Sequence, residues 1–231
     1  MPATADETTG LGVIVALPTE AVGWPDRDAD CVVRVAGIGR ERAHSAATRM
    51  IEHGARALLS WGVAGGLSPR LRSGDLVLPR RVVSSRGEWQ THEGWRARLL
   101  HALPDANEVD ALYCSDEPLA STEGKSTLAR RGFDVVDMES AGVAEAATQA
   151  GVPFVVVKAI CDPAVRSIPP LALRMLDSDG HVRASAILDV ARAGPRGWRE
   201  LRVLRGDFSC ACTSLRNAAR RLPRVAQDAA P

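Results

Sequence analysis

Neither sign of charge dominates this sequence: 29 basic residues stand against 28 acidic ones, a formal net charge of +1 at pH 7. Without a global field there is little to attract nucleic acid, which argues against a nucleic-acid partner. A metal or disulfide framework is missing as well. The five cysteines (Cys31, Cys114, Cys161, Cys210, Cys212) are odd in number and scattered, with no CxxC pair and no Cys/His ligand spacing. They read as free thiols in a reduced, cytoplasmic protein with no metal site. No apolar run approaches the ~20 residues needed to span a bilayer, and no apolar leader precedes Gly10. Internal repeats are absent, and so is any low-complexity linker before the extreme C-terminus. Lysine is scarce: it supplies two of the 29 basic residues. Together with abundant alanine, that scarcity reads as genome composition rather than function.

What is present is an alternation of short apolar runs with helical periods, the pattern of an α/β fold. A chain of 231 residues is ample for one such domain. Strands are expected at 11–18, at 31–39 with a glycine end, at 74–85 with a bend near Pro79, and at 108–116. Another apolar run at 152–162 closes the series. "ARALLSWGVAGGL" reads as a strand followed by a glycine turn, and "FDVVDMESAGVAEAATQAG" as a strand running into a helix. Further helices are expected at 40–54, closed by Gly54, at 91–104 and at 122–132. The fold class is therefore α/β, a single domain with a central mixed β-sheet flanked by helices. Residues 11–194 would form the domain and 195–223 a basic amphipathic C-terminal helix, with flexible segments at 1–10 and 224–231.

In sheets of this kind ligands bind where strands end. Four expected strand ends carry suggestive residues: Glu20, the glycine-rich 62–66, Asp137 to Glu139, and Asp162. Each has a structural reading. Glu20 suits the first turn of a helix, Asp137 suits an N-cap, and Asp162 before Pro163 suits a turn. The glycines allow a tight turn, and they also let backbone amides approach a ligand. The convergence of acids and glycines on one end of the sheet is what points to a site.

Two stretches, "SWGVAGGLSPRLRSGDLVLP" and "VVDMESAGVAEAATQAGVPFVVVKAICD", resemble the nucleoside phosphorylase and nucleosidase superfamily, over about Gly12 to Asp162. Its members have a three-layer α/β/α fold and cleave the N-glycosidic bond of nucleosides. "LLSWGVAGGL", "CSDEPLASTEGK", "DPAVRSIPP" and "DFSCACTSLRNAARRL" are most similar to the bacterial hopanoid-associated phosphorylase group. That narrower likeness implies adenosylhopane, an adenosine joined through its 5′ carbon to a large apolar lipid. The alternatives are a nucleosidase for methylthioadenosine, S-adenosylhomocysteine or futalosine-type compounds, and a non-catalytic nucleoside-binding protein.

The resemblance also assigns roles. Cleavage passes through an oxocarbenium-like sugar, so carboxylates in different environments divide the work. Asp162 would protonate the purine N7, its pKa raised by burial in an apolar strand. Glu139 would hold the ribose hydroxyls, Met138 would pack on the sugar or base, and Glu20 would activate water. The amides of Gly65 and Gly66 would receive water or phosphate. No cofactor is implied, inorganic phosphate being the alternative co-substrate. Ser60 and Trp61 stand where phosphorylases carry an arginine, a departure that favours water. Arg40 is the first candidate for a phosphate ligand, with Arg34, Arg70 and Arg72 behind it. Gly142 and Cys161 replace the usual alanine and serine, and Cys161 is not a plausible nucleophile. Partners implied are a small or lipid-linked nucleoside and a second copy of the chain in a homo-oligomer.

From Trp198 onward Leu201, Leu204, Phe208, Ala211, Leu215, Ala218 and Leu222 recur at intervals of three and four, one stripe of a helix. Between Arg196 and Arg224, eight arginines against Glu200 and Asp207 make the segment basic. It suits peripheral contact with the inner membrane face or packing against the protein's own core or a partner subunit.

Overall fold

The computed structural model describes residues 10–24, 31–170, 172 and 194–222. The termini expected to be flexible lie outside these residues, apart from Gly10. The described residues include eight strands: β1 (Leu11–Val15), β2 (Cys31–Val35), β3 (Ala57–Gly66), β4 (Leu76–Ser84), β5 (Gly87–Gln90), β6 (Asn107–Cys114), β7 (Val135–Asp137) and β8 (Phe154–Asp162). The described helices are α1 (Arg40–Glu52), α2 (Glu93–Ala102), α3 (Thr122–Arg130), α4 (Ser140–Ala150) and α5 (Gly194–Ala219).

All eight strands join one mixed sheet. β1 lies between β2 and β3, parallel to both, and β3 continues parallel to β8. Strands covered on both faces are apolar without alternation. The fully buried "LGVIV" of β1 and the almost wholly buried "FVVVKAICD" of β8 follow that rule. Beyond β8 the sheet turns back on itself. β8 pairs antiparallel with β4, β4 parallel with β6, β6 parallel with β7, and β7 antiparallel with β3. These pairings form a closed ring of five strands, with β2 and β1 extending from it. The short hairpin strand β5 against β4 was not expected from the sequence.

Helices cover both faces. On one, α1 and α4 contribute Ala43, Ala46, Ala47, Ala141, Ala144 and Ala147 to a core shared with Ile14, Leu58 and Val156. Small residues let these helices approach closely. A Cβ on Gly142 would collide with the backbone carbonyl of Arg40, which gives the glycine at that position a physical cause. On the other face, α2 and α5 supply Trp95, Leu99, Ala211, Leu215 and Ala218 to a core with Trp61 and Val157. The C-terminal half of α5 is thus part of the domain. Its N-terminal half is more open: Trp198 is 53% exposed. Among the described residues, no helix is long and apolar enough to cross a membrane.

One expectation is corrected. The glycine-rich run is not a turn after β3. β3 continues through Gly66, held by β8 on one edge and by β7 at Gly65 and Gly66 on the other. A register shift between Ala64 and Gly65 marks where the strand bends toward the ring.

Candidate active site

After β1 the chain makes a single 3-10 turn, Pro18–Glu20, which folds the Glu20 side chain back toward the strand ends. Its carboxylate is 2% exposed and accepts three backbone amides: Ala16 at 2.9 Å and Leu17 at 2.8 Å on Oε2, and Val63 at 2.9 Å on Oε1. The third ties it to β3, where Gly62 makes the room. A Cβ on Gly62 would stand 2.8 Å from Glu20 Oε1, and its φ of +150° is one that side-chain-bearing residues rarely adopt. Burial raises the Glu20 pKa, against the opposing effect of Lys158 and the amides.

At the mouth of α4 the acids divide their tasks. Asp137 does the capping: its Oδ2 accepts Ser140 N at 3.0 Å and Ser140 Oγ at 2.6 Å. Glu139 stands at the N-cap position without capping. Its Oε1 instead accepts Gly39 N at 2.8 Å, across from the start of α1. Burial drives the Glu139 pKa up to about 7, with Asp137 and Glu20 adding to the rise and Lys158 and the Gly39 amide opposing it.

Lys158 in β8 lies among these acids. Its Nζ is 2.9 Å from Asp137 Oδ2, and the side chain is almost fully buried. Burial works against its charge, but Asp137, Glu139 and Glu20 outweigh that and hold the ammonium above its ordinary range.

Asp162, at the end of β8, is held from both sides. Its Oδ1 accepts the Cys161 thiol at 2.9 Å, and its Oδ2 lies 2.6 Å from the ammonium of Lys125. Asp162 is buried in the apolar strand as expected, and α3 in addition delivers a buried lysine to it, which the sequence reading did not include. Burial, followed by the charge of Asp162, pushes the Cys161 thiol well above its ordinary range, so it remains a donor and not a nucleophile. Gly65 makes room here as Gly62 does at Glu20: a Cβ on it would come within 3.0 Å of Asp162 Oδ2.

Glu20, Gly65, Met138, Glu139 and Asp162 all line one cavity of about 170 Å³. Two of the residues singled out from sequence stand elsewhere. Gly66 packs toward Ile160 and Pro163. Arg40 bonds Glu145 at 3.0 Å and stands 3.5 Å from Asp116, bridging α1 to α4 outside the cavity lining. Arg34 and Arg72 are exposed, and Arg70 is exposed and faces Asp134. Ser60 is buried, its hydroxyl 3.1 Å from that of Ser140, while Trp61 Nε1 donates to the Glu20 carbonyl at 3.1 Å.

Sequence reasoning missed Lys125 and Lys158, the chain's two lysines. A signal existed for Lys158, a charge within an apolar strand that only a buried partner could stabilise. Nothing local marked Lys125 in its short helix. Leu17, Ile38, Pro118, Leu119 and Ile168, which also line the cavity, were likewise not anticipated.

Comparison with known proteins agrees with this architecture. The structure superposes on the futalosine hydrolase of Helicobacter pylori with a TM-score of 0.67 at 18% identity, covering 96% of this chain and 98% of that one. It matches the 5′-methylthioadenosine/S-adenosylhomocysteine nucleosidase of Neisseria meningitidis, solved with methylthio-immucillin-A, with a TM-score of 0.64 at 18% identity over 93% and 100% of the two chains. In sequence it is 26% identical over 164 residues to the 5′-methylthioadenosine/S-adenosylhomocysteine nucleosidase of Shewanella baltica, covering 61% of this chain and 70% of that protein. Residues 28–192, well over half of the chain, match the Phosphorylase superfamily, and the chain belongs to that family.

Proposed function

We propose that this protein hydrolyses the N-glycosidic bond of a purine nucleoside carrying a substituent at its 5′ carbon, with methylthioadenosine and S-adenosylhomocysteine the leading substrates. The observation that carries the reading is the meeting of Glu20, Glu139 and Asp162 on one cavity, each held by a different part of the fold. Asp162 gives a proton to the departing base, which lowers the energy of the leaving group. Glu139, ionised, accepts the ribose hydroxyls and stabilises the positive charge that grows on the sugar. Glu20 takes a proton from the attacking water. Its three backbone donors fix its position, and its raised pKa makes it a stronger base than an exposed glutamate.

Water is favoured over phosphate by what surrounds the site. Ser60 and Trp61 bring no cation to it, and Arg40 is engaged by Glu145. Leu17, Ile38, Pro118, Leu119 and Ile168 give part of the cavity an apolar wall suited to a thioether or alkyl group. The relatives described above are named for methylthioadenosine, S-adenosylhomocysteine and futalosine. The preferred substrate therefore shifts from the hopanoid expected at first to these smaller compounds. A lipid-linked nucleoside is kept as a second reading by one feature, Trp198 at 53% and Val203 at 37% exposure on the basic start of α5.

The test is base release from methylthioadenosine, S-adenosylhomocysteine, futalosine and vesicle-borne adenosylhopane under one set of conditions. Turnover is expected to be fastest with one of the first two. Preference for adenosylhopane would select the second reading, and release from none of them would refute the assignment.

A further inference from the structure

Lys125 is fully buried, with 0% side-chain exposure, on a helix none of whose residues lines the cavity, so it reaches the site only through Asp162. Four oxygens surround its ammonium: Asp162 Oδ2 at 2.6 Å and the backbone carbonyls of Asp162 at 2.8 Å, Pro163 at 3.0 Å and Arg166 at 3.0 Å. An ammonium has three hydrogens, so each is committed. The group holds a carboxylate and the turn that follows it in one grip. Along the same turn, Ile168 N donates to Ala120 O at 2.8 Å, and Ile168 reaches the cavity wall.

Resting on the proposed hydrolysis, we infer that Lys125 is a positioning residue for Asp162. It sets the direction in which the carboxyl group faces the departing base, and it stabilises the carboxylate formed when the proton leaves. The transfer balances without another reactant. The O–H bond of Asp162 breaks, an N–H bond forms on the base, and the resulting negative charge lies beside the ammonium. Cys161, on the opposite oxygen at 2.9 Å, completes the hold. Lys125 stands outside the cavity lining and acts only through Asp162, whereas Cys161 lines the cavity beside it.

A general acid contributes about 100-fold to 10,000-fold, and a misdirected one forfeits most of that. The test is a double-mutant cycle on methylthioadenosine with wild type, Lys125→Met, Asp162→Asn and the double variant. Lys125→Met is expected to lower kcat about 30-fold or more with KM within about threefold. Adding it to Asp162→Asn is expected to change kcat by less than about threefold, because the group it directs is already disabled. An equal loss in both backgrounds would show a purely structural lysine and overturn the inference. If Lys125→Met fails to fold, Lys125→Gln gives the same comparison, since it keeps a donor and removes the charge. Base release by the wild-type enzyme reports on the underlying hydrolysis separately, so the two ideas fail in different lanes of one experiment.

Discussion

Replacing Lys158 with methionine would remove the ammonium that lies among Asp137, Glu139 and Glu20 while nearly preserving side-chain volume. Breaking a buried ion pair by deleting one partner costs about 3–5 kcal/mol. In a protein of this size each kcal/mol moves Tm by about 2–4 °C, so Lys158→Met is expected to lower Tm by about 6–20 °C at pH 8. The sign of the pH dependence follows from the groups involved. Lys158 has its pKa raised above 10.5, so its contribution is fully present below that value and is lost only as pH rises through the folded one. Glu20 and Glu139 are raised above their ordinary 4.5, and Lys158 opposes both shifts. Without it they would rise further, a penalty that applies above pH 4.5 and fades as pH falls to that value. Thermal unfolding of both proteins at pH 8 and pH 4.5 should therefore show a large gap that narrows in acid. A pH-independent gap, or one below about 3 °C at pH 8, would refute this account of the carboxylate cluster.

Other outcomes follow from single contacts. With Glu139 raised to about 7 and active only when ionised, kcat/KM should fall on the acid side with a midpoint near that value, and Glu139→Gln should remove its part of that limb, leaving the part set by Glu20, and cost about 10–100-fold, the worth of a charged hydrogen bond. Gly62→Ala should push Glu20 from its three amides, lowering kcat about tenfold or more for a strain of about 1–3 kcal/mol, to be read from turnover and thermal unfolding together. Leu215→Ala should cost about 2–5 kcal/mol in denaturant unfolding, because Leu215 is 1% exposed in the core. A loss near zero would mean that α5 is only an appendage.

How far the sequence revealed this arrangement depends on whether a residue's role is set locally. The buried strands β1 and β8 were legible because unbroken apolar runs of that length have few alternatives. Glu20, Glu139 and Asp162 were legible because acids at strand ends stand out, and the reading of Asp137 as a cap agrees with its bonds to Ser140, while Glu139 at the N-cap position does not cap. The 62–66 run was misread because three glycines within it argue for a turn by local preference. Pairing to β7 and β8 overrides that preference, and the absent side chains leave space for two carboxylates. Lys125 meets Asp162 across 37 positions of sequence, a contact that no spacing rule describes. Amphipathic spacing identified the stripe of α5 without saying what covers it. The fold resolves this for Ala211, Leu215 and Ala218, which belong to the core.

The most direct test of the central claim is adenine release from methylthioadenosine in phosphate-depleted buffer, with the sugar product identified by mass spectrometry. The account predicts undiminished turnover and free methylthioribose, with Glu20→Ala losing most of that activity. Turnover that requires added phosphate and yields only the sugar 1-phosphate would contradict it.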